Sequence, residues 1–116
     1  MKINTILSKY DVHDFPDDKE ERIKQAVDPS AAIAEKWKHK IGKNWYGFGF
    51  TYDVPVIWIQ IIDEFLDHIN ESDPGFRIHQ IKIKFGGVRC YLGCKEELNK
   101  EIEILENVLQ DQRLIW

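Results

Sequence analysis

The chain contains little cysteine and no long apolar run, and both shortages narrow what it can be. Its two cysteines, Cys90 and Cys94, are too few and too close together for a disulfide framework. Their spacing is C-x-x-x-C rather than the redox C-x-x-C, so free thiols in a reducing cytoplasm are expected. The longest apolar stretch, Val54 to Ile62, is broken by Gln60 and is far too short to span a bilayer. The first residues, Met1 to Leu7, lack the apolar core of a signal peptide, and no membrane partner is expected. No H-E-x-x-H or EF-hand pattern is present to hold a metal, and no G-x-S-x-G to position a nucleophile. No cofactor is expected either. Repeats, linkers and low-complexity runs are absent, so residues 1–116 read as a single domain. Cations are also in deficit: 16 Lys and Arg against 20 Asp and Glu leave a net charge of −4. That balance argues against non-specific nucleic-acid binding by the whole molecule, while leaving room for a local basic patch.

What is present begins with helical spacing. Ile3, Ile6, Leu7 and Tyr10 favour a short first helix. Pro16, Asp17 and Asp18 look like a second helix start, supported by the i,i+4 pairs Asp18–Arg22 and Glu20–Lys24. Asp28-Pro29-Ser30 is expected to interrupt it, because proline disfavours helix in the residue before it. Asp28 then caps a further helix to about His39, anchored by Ile33 and Trp37 and ended by Gly42. Asn44 to Tyr52 alternates like a strand, with Tyr46, Phe48, Phe50 and Tyr52 on one side. From Asp53 and Pro55 to about Asn70, Trp58, Ile61, Ile62, Phe65, Leu66 and Ile69 give the clearest amphipathic helix. Residues 95–112 form a last one, lined by Leu98, Ile102, Leu105 and Leu109.

Between these two helices, Ile81 to Leu92 reads as a hairpin turning at Gly86-Gly87. That turn pairs Phe85 with Val88, Ile83 with Cys90 and Ile81 with Leu92 on an apolar face. The other face sets Lys82 opposite Tyr91 and Lys84 opposite Arg89. The fold class is therefore α+β: a small antiparallel sheet containing a Gly-Gly hairpin, packed against about four helices. Phe65, Leu66, Ile83, Phe85, Leu98, Ile102 and Leu105 are expected to be buried together.

Four groups of residues carry candidate chemistry. Lys82, Lys84, Arg89 and Tyr91 form the candidate binding surface, with Arg89 as a directional donor and Tyr91 as a stacking platform. The plain alternative is a solvated sheet face, with lysines as edge guards. Lys36, Lys38, His39, Lys40 and Lys43 surround Trp37, a pattern that suits a nucleic-acid strand or, at helical spacing, a solvated rim around a core tryptophan. Asp63, Asp67 and Glu71 stack one turn apart, with Glu64 and His68 beside them, as either a metal ladder or a solvent face. The run Trp45 to Phe50 is either an aromatic platform or a buried strand. Cys90 points into the core, where a thiol is inert; Cys94 precedes a helix N-terminus, which would lower its pKa. His13 and His79 have no nucleophile pattern near them.

Gln80 to Tyr91, Q-I-K-I-K-F-G-G-V-R-C-Y, resembles the Q-V-K-E-K-F-G-G-L-R-F-Y block of a family of small uncharacterised bacterial and phage proteins. Trp45-Tyr46-Gly47-Phe48-Gly49 is similar to that family's W-Y-G-F block, and the likeness spans roughly residues 44–92. The chain differs in carrying Ile83 where the block has Glu, and in lacking the family's C-x-x-C-G zinc half-site. The resemblance implies the architecture and draws attention to the hairpin, without implying a reaction. The expected role is a non-enzymatic interaction protein, phage- or mobile-element-encoded, whose partner is a protein. The alternatives are a nucleic-acid or nucleotide binder using the same face, and a metal-dependent enzyme using the carboxylates of the central helix.

Overall fold

Ile3 and Ile6 bury one side of a short first helix, α1 (Lys2–Leu7), in the computed structural model. The structure describes residues 2–41 and 54–115, together with the backbone of residues 47–48. A long helix follows, α2 (Lys19–Trp37), capped by Asp18, whose carboxylate accepts the Glu21 N–H at 3.3 Å. The expected break at Asp28-Pro29 does not occur, and Pro29 lies inside α2. The reason is a stripe that crosses the proline: Arg22, Ala26, Ser30, Ile33 and Trp37 recur at three- and four-residue spacing and are all buried. Breaking the helix would split that stripe. A proline inside a helix costs about 3 kcal/mol, and burial of the stripe's apolar members, Ala26, Ile33 and Trp37, offsets it. A 3-10 turn, Lys38–Lys40, ends the segment.

Gly47–Phe48 form a short strand, β1, followed by α3 (Val56–Ser72). Trp45, Tyr46, Phe50 and Tyr52 of the expected strand, with Gly42 and Lys43 before it, lie outside the described residues. The α3 face expected from the sequence is buried: Trp58, Ile61, Ile62, Phe65, Leu66 and Ile69 form the centre of the core. The turn Asp73-Pro74-Gly75 leads into β2 (Arg77–Lys84), which pairs antiparallel with β3 (Gly87–Gly93). Strand β1 adds in parallel on the other side of β2, matching Gly47 with Gln80 and Phe48 with Ile81. The α+β class holds, with helices covering the apolar face of this small sheet.

The hairpin turns one residue earlier than expected. Phe85 and Gly86 occupy the turn with φ of 54° and 78°, and Lys84 pairs with Gly87. Both residues thus take the left-handed conformation that a type I′ turn requires. Gly87 has a different use: it bridges to Gln110, while the Val88 N–H donates to the Leu109 carbonyl at 3.1 Å. The Asp111 N–H donates to the Gly86 carbonyl at 2.9 Å. The C-terminal segment therefore sets the register from outside the hairpin.

Moving the turn by one residue shifts the pairing by two. An even shift leaves every side chain on its own face. Ile83 now faces Val88, Ile81 faces Cys90, and Lys82 faces Arg89. A bulge between Ile78 and Gln80 rephases the strand, so Ile78 and Ile81, three apart, are both fully buried. The casualty is Phe85, expected in the core and found 80% exposed. Ile83 is half-buried, and the other five expected core residues are buried.

The last helix is shorter than expected. A 3-10 turn, Glu96–Leu98, precedes α4 (Asn99–Val108), and residues 109–112 leave the helix to reach the hairpin. Leu98, Ile102, Leu105 and Leu109 are buried as the spacing indicated.

Candidate interaction surface

Alternation along two paired strands places Gln80, Lys82, Lys84, Arg89 and Tyr91 on the face away from the core. All four candidate binding residues are therefore neighbours. Lys84 is exposed, Tyr91 is 46% exposed, and Lys82 and Arg89 are half-buried. The Lys82 ammonium lies 5.8 Å from the Tyr91 ring centre, and Lys84 lies 5.5 Å from that of Phe85. Arg89 directs Nη1 at its neighbour's carbonyl, Val88 O, at 3.1 Å. Lys82 and Arg89 stand directly opposite one another as like charges. Among the described residues none of the three cations contacts a carboxylate.

The second basic cluster is built differently. Lys36 sits between Asp63 at 3.0 Å and Asp67 at 3.1 Å. Burial pulls its pKa down, but the two carboxylates outweigh that and hold it above the ordinary lysine value. Trp37 is core, with its indole N–H donating to Asp63 at 2.8 Å. Lys38 pairs with Glu35 at 2.7 Å, and Lys40 is buried 4.7 Å from the Phe76 ring centre, its ammonium donating to the Pro74 carbonyl. His39 stacks on Trp37. The two basic segments share a composition and little else.

The carboxylates of α3 each hold a structural partner, apart from the exposed Glu71. Glu64 accepts from Lys9 and Tyr10; these hydrogen bonds, that of Lys9 first, hold its carboxyl below the usual range. The same bond pushes the Tyr10 hydroxyl up to about 12. His68 Nε2 meets Glu101 Oε2 at 2.7 Å, and the other Glu101 oxygen accepts the Ile3 N–H at 3.1 Å. These contacts tie α1, α2 and α4 to α3. A cleft of about 150 Å³ beside α1 is lined by Lys2, Lys9, Glu64, Asp67, His68 and Glu71. Among the described residues no group of three or more His, Cys, Asp and Glu could hold a metal ion.

Neither thiol is activated. Burial pushes the Cys90 thiol up, and burial with the nearby Asp73 pushes Cys94 up, against the lowering expected from its position before a helix. His79 is exposed at the bulge, and His13 pairs with Asp111 at 2.9 Å.

Sequence reasoning missed the clasp behind the hairpin tip. Arg113 donates to Asp111 and to the Phe15 and His13 carbonyls, each at 2.8 Å, and lies 3.8 Å from the Phe15 ring centre. Its guanidinium holds the Asp111 carboxyl far below the usual range. Ile115 lies so close to Gly86 that a Cβ there would sit 2.7 Å from its Cγ1, yet Ile115 remains 56% exposed. The only local hint was Gly86 itself, since glycine suits the second position of a type I′ turn. Comparison with protein-family models, curated proteins and solved structures finds no match.

Proposed function

We propose that the protein is a non-enzymatic interaction module that captures an acidic protein partner on the outer face of its hairpin. The observation that carries this reading is the set of three adjacent cations without a carboxylate partner among the described residues: Lys82, Lys84 and Arg89. Placing Lys82 opposite Arg89 is mildly destabilising, by roughly 0.2–1 kcal/mol. An acidic partner would relieve that repulsion and gain charge-assisted hydrogen bonds from Arg89. The edge-guard alternative loses support because other groups occupy the β3 edge. Its amides are met by Leu109 O at Val88 and by the Glu106 carboxylate, at 2.8 Å, at Cys90.

The test is titration with a labelled oligo-glutamate peptide and with a dT oligomer of equal charge, at low and physiological salt. Arg89→Ala and Lys84→Ala should each weaken the peptide about tenfold, while Lys36→Ala should leave it unchanged. Equal binding by all variants would reduce the hairpin to a solvated sheet face. Tighter binding of the DNA, with a steep salt slope, would favour the nucleic-acid alternative instead.

A further inference from the structure

Phe85 breaks two ordinary rules at once. Among the described residues it is the one non-glycine with positive φ, at 54°, in a turn position that favours Asn or Gly. It is also 80% exposed, the most exposed of the large apolar side chains described. A strained backbone and an aromatic ring held in water both work against folding. Such outliers persist where the surrounding structure holds them in place, and they cluster at functional sites.

The surroundings do hold the tip. The Gly86 carbonyl accepts the Asp111 N–H, Ile115 packs on the Gly86 backbone, and Arg113 fastens that tail to residues 13–17. A second exposed apolar side chain, Ile115, thereby stands at the same hairpin tip, against Gly86, the residue after Phe85. On the strands behind them lie Lys84, Lys82 and Arg89. An apolar knob on a fixed backbone, bordered by cations, matches an apolar socket rimmed by carboxylates. Anchors of this sort dominate protein interfaces because little conformational freedom is lost when they insert.

Resting on the reading of the hairpin face above, we propose that Phe85 with Ile115 is the anchor that enters an apolar socket on an acidic protein partner. A nucleic-acid strand fits less well. Ile115 offers no plane on which a base can stack.

The experiment compares two peptides of equal charge, one all-glutamate and one with two central leucines flanked by glutamates, with a dT oligomer as a third probe. Wild type should prefer the leucine peptide by about tenfold or more. Phe85→Asn places a favoured residue in the turn, so it should melt no lower than wild type. It should lose the preference while binding the all-glutamate peptide within about twofold of wild type. Arg89→Ala should weaken both peptides. If wild type shows no preference, or Phe85→Asn keeps it, the anchor is refuted while the cationic face stands. If Phe85→Asn melts well below wild type, the ring is a structural part of the turn and the anchor is likewise refuted. If neither peptide binds, or Arg89→Ala binds both as wild type does, the face and its anchor fall together. Tighter binding of dT, weakened by Phe85→Asn, would replace the protein socket with a stacked base.

Discussion

The chain has two segments in which lysines surround an aromatic residue, and they have opposite characters. Around Trp37, Lys36 is neutralised by Asp63 and Asp67 and Lys38 by Glu35, and the aromatic is 3% exposed. Around Tyr91 the cations have no carboxylate partner among the described residues, and the ring is 46% exposed. Both are basic and aromatic; the period of the element differs. On α2 the polar flank of the buried stripe runs alongside α3, whose Asp63 and Asp67 lie within reach of Lys36. On the hairpin, alternation sends every cation to the face away from the helices. A basic cluster therefore says little until the neutralising groups across from it are known.

The sharpest way to break this contrast is to remove the two aromatics. Trp37→Ala should cost about 3–5 kcal/mol in chemical denaturation, as a core truncation does. Tyr91→Ala should stay within about 0.5 kcal/mol of wild type, as exposed positions do. Comparable losses at both sites would mean that Tyr91 is structural.

The next effect concerns the tip that the cations border. Gly86→Val should cost about 1–3 kcal/mol from its left-handed backbone alone, with a further clash against Asp111 O, which lies 2.7 Å from the new Cβ. Gly87→Val should cost less, because its φ is ordinary and its nearest obstacles are the flexible Arg89 and Gln110 side chains at 3.1 and 3.2 Å. The reverse order of melting temperatures would return the turn to Gly86-Gly87.

Titration probes the neutralised side of the molecule. Because the Tyr10 pKa is raised from 10.0 to about 12, its contribution is complete below pH 10 and is lost as pH rises from 10 toward 12. Glu64 is depressed below 4.5, so its contribution is present above that value and is lost as the solution is acidified through the folded pKa. Glu64→Gln should flatten both limbs of a stability-against-pH curve. An unchanged alkaline limb would show that Tyr10 and Glu64 are uncoupled.

The smallest effect should carry the opposite sign. Lys82→Ala removes the charge facing Arg89 and should stabilise the fold by a few tenths of a kcal/mol at low salt, fading as salt is added. A clear loss of stability would mean that the lysine stem, not the charge, matters most there.

The faces of the hairpin were legible because alternation is local and because the mistaken register was off by an even number. Its cross-strand partners were not. They depend on Leu109, Gln110 and Asp111, which return from a helix expected to run through them. Phe85 was misplaced for the same reason: hydrophobicity placed it inside, and the tertiary clasp turned it out. Pro29 shows the converse, a local breaking signal overruled by a buried stripe that only packing against other helices makes valuable. Trp37 was read correctly as core, yet the acids that neutralise the adjacent Lys36 lie about 30 residues on and could not be matched to it by spacing.

The Glu106 carboxylate on the Cys90 amide has a consequence for how any partner can arrive. With Leu109 and Gln110 filling the start of β3 and Glu106 the middle, that margin offers few free backbone groups to an incoming chain. Recognition by zipping a foreign strand onto the sheet, a route that also leads to runaway self-association, is closed along this stretch. Along this margin a visitor would meet side chains, and charge and shape rather than backbone pairing would select it.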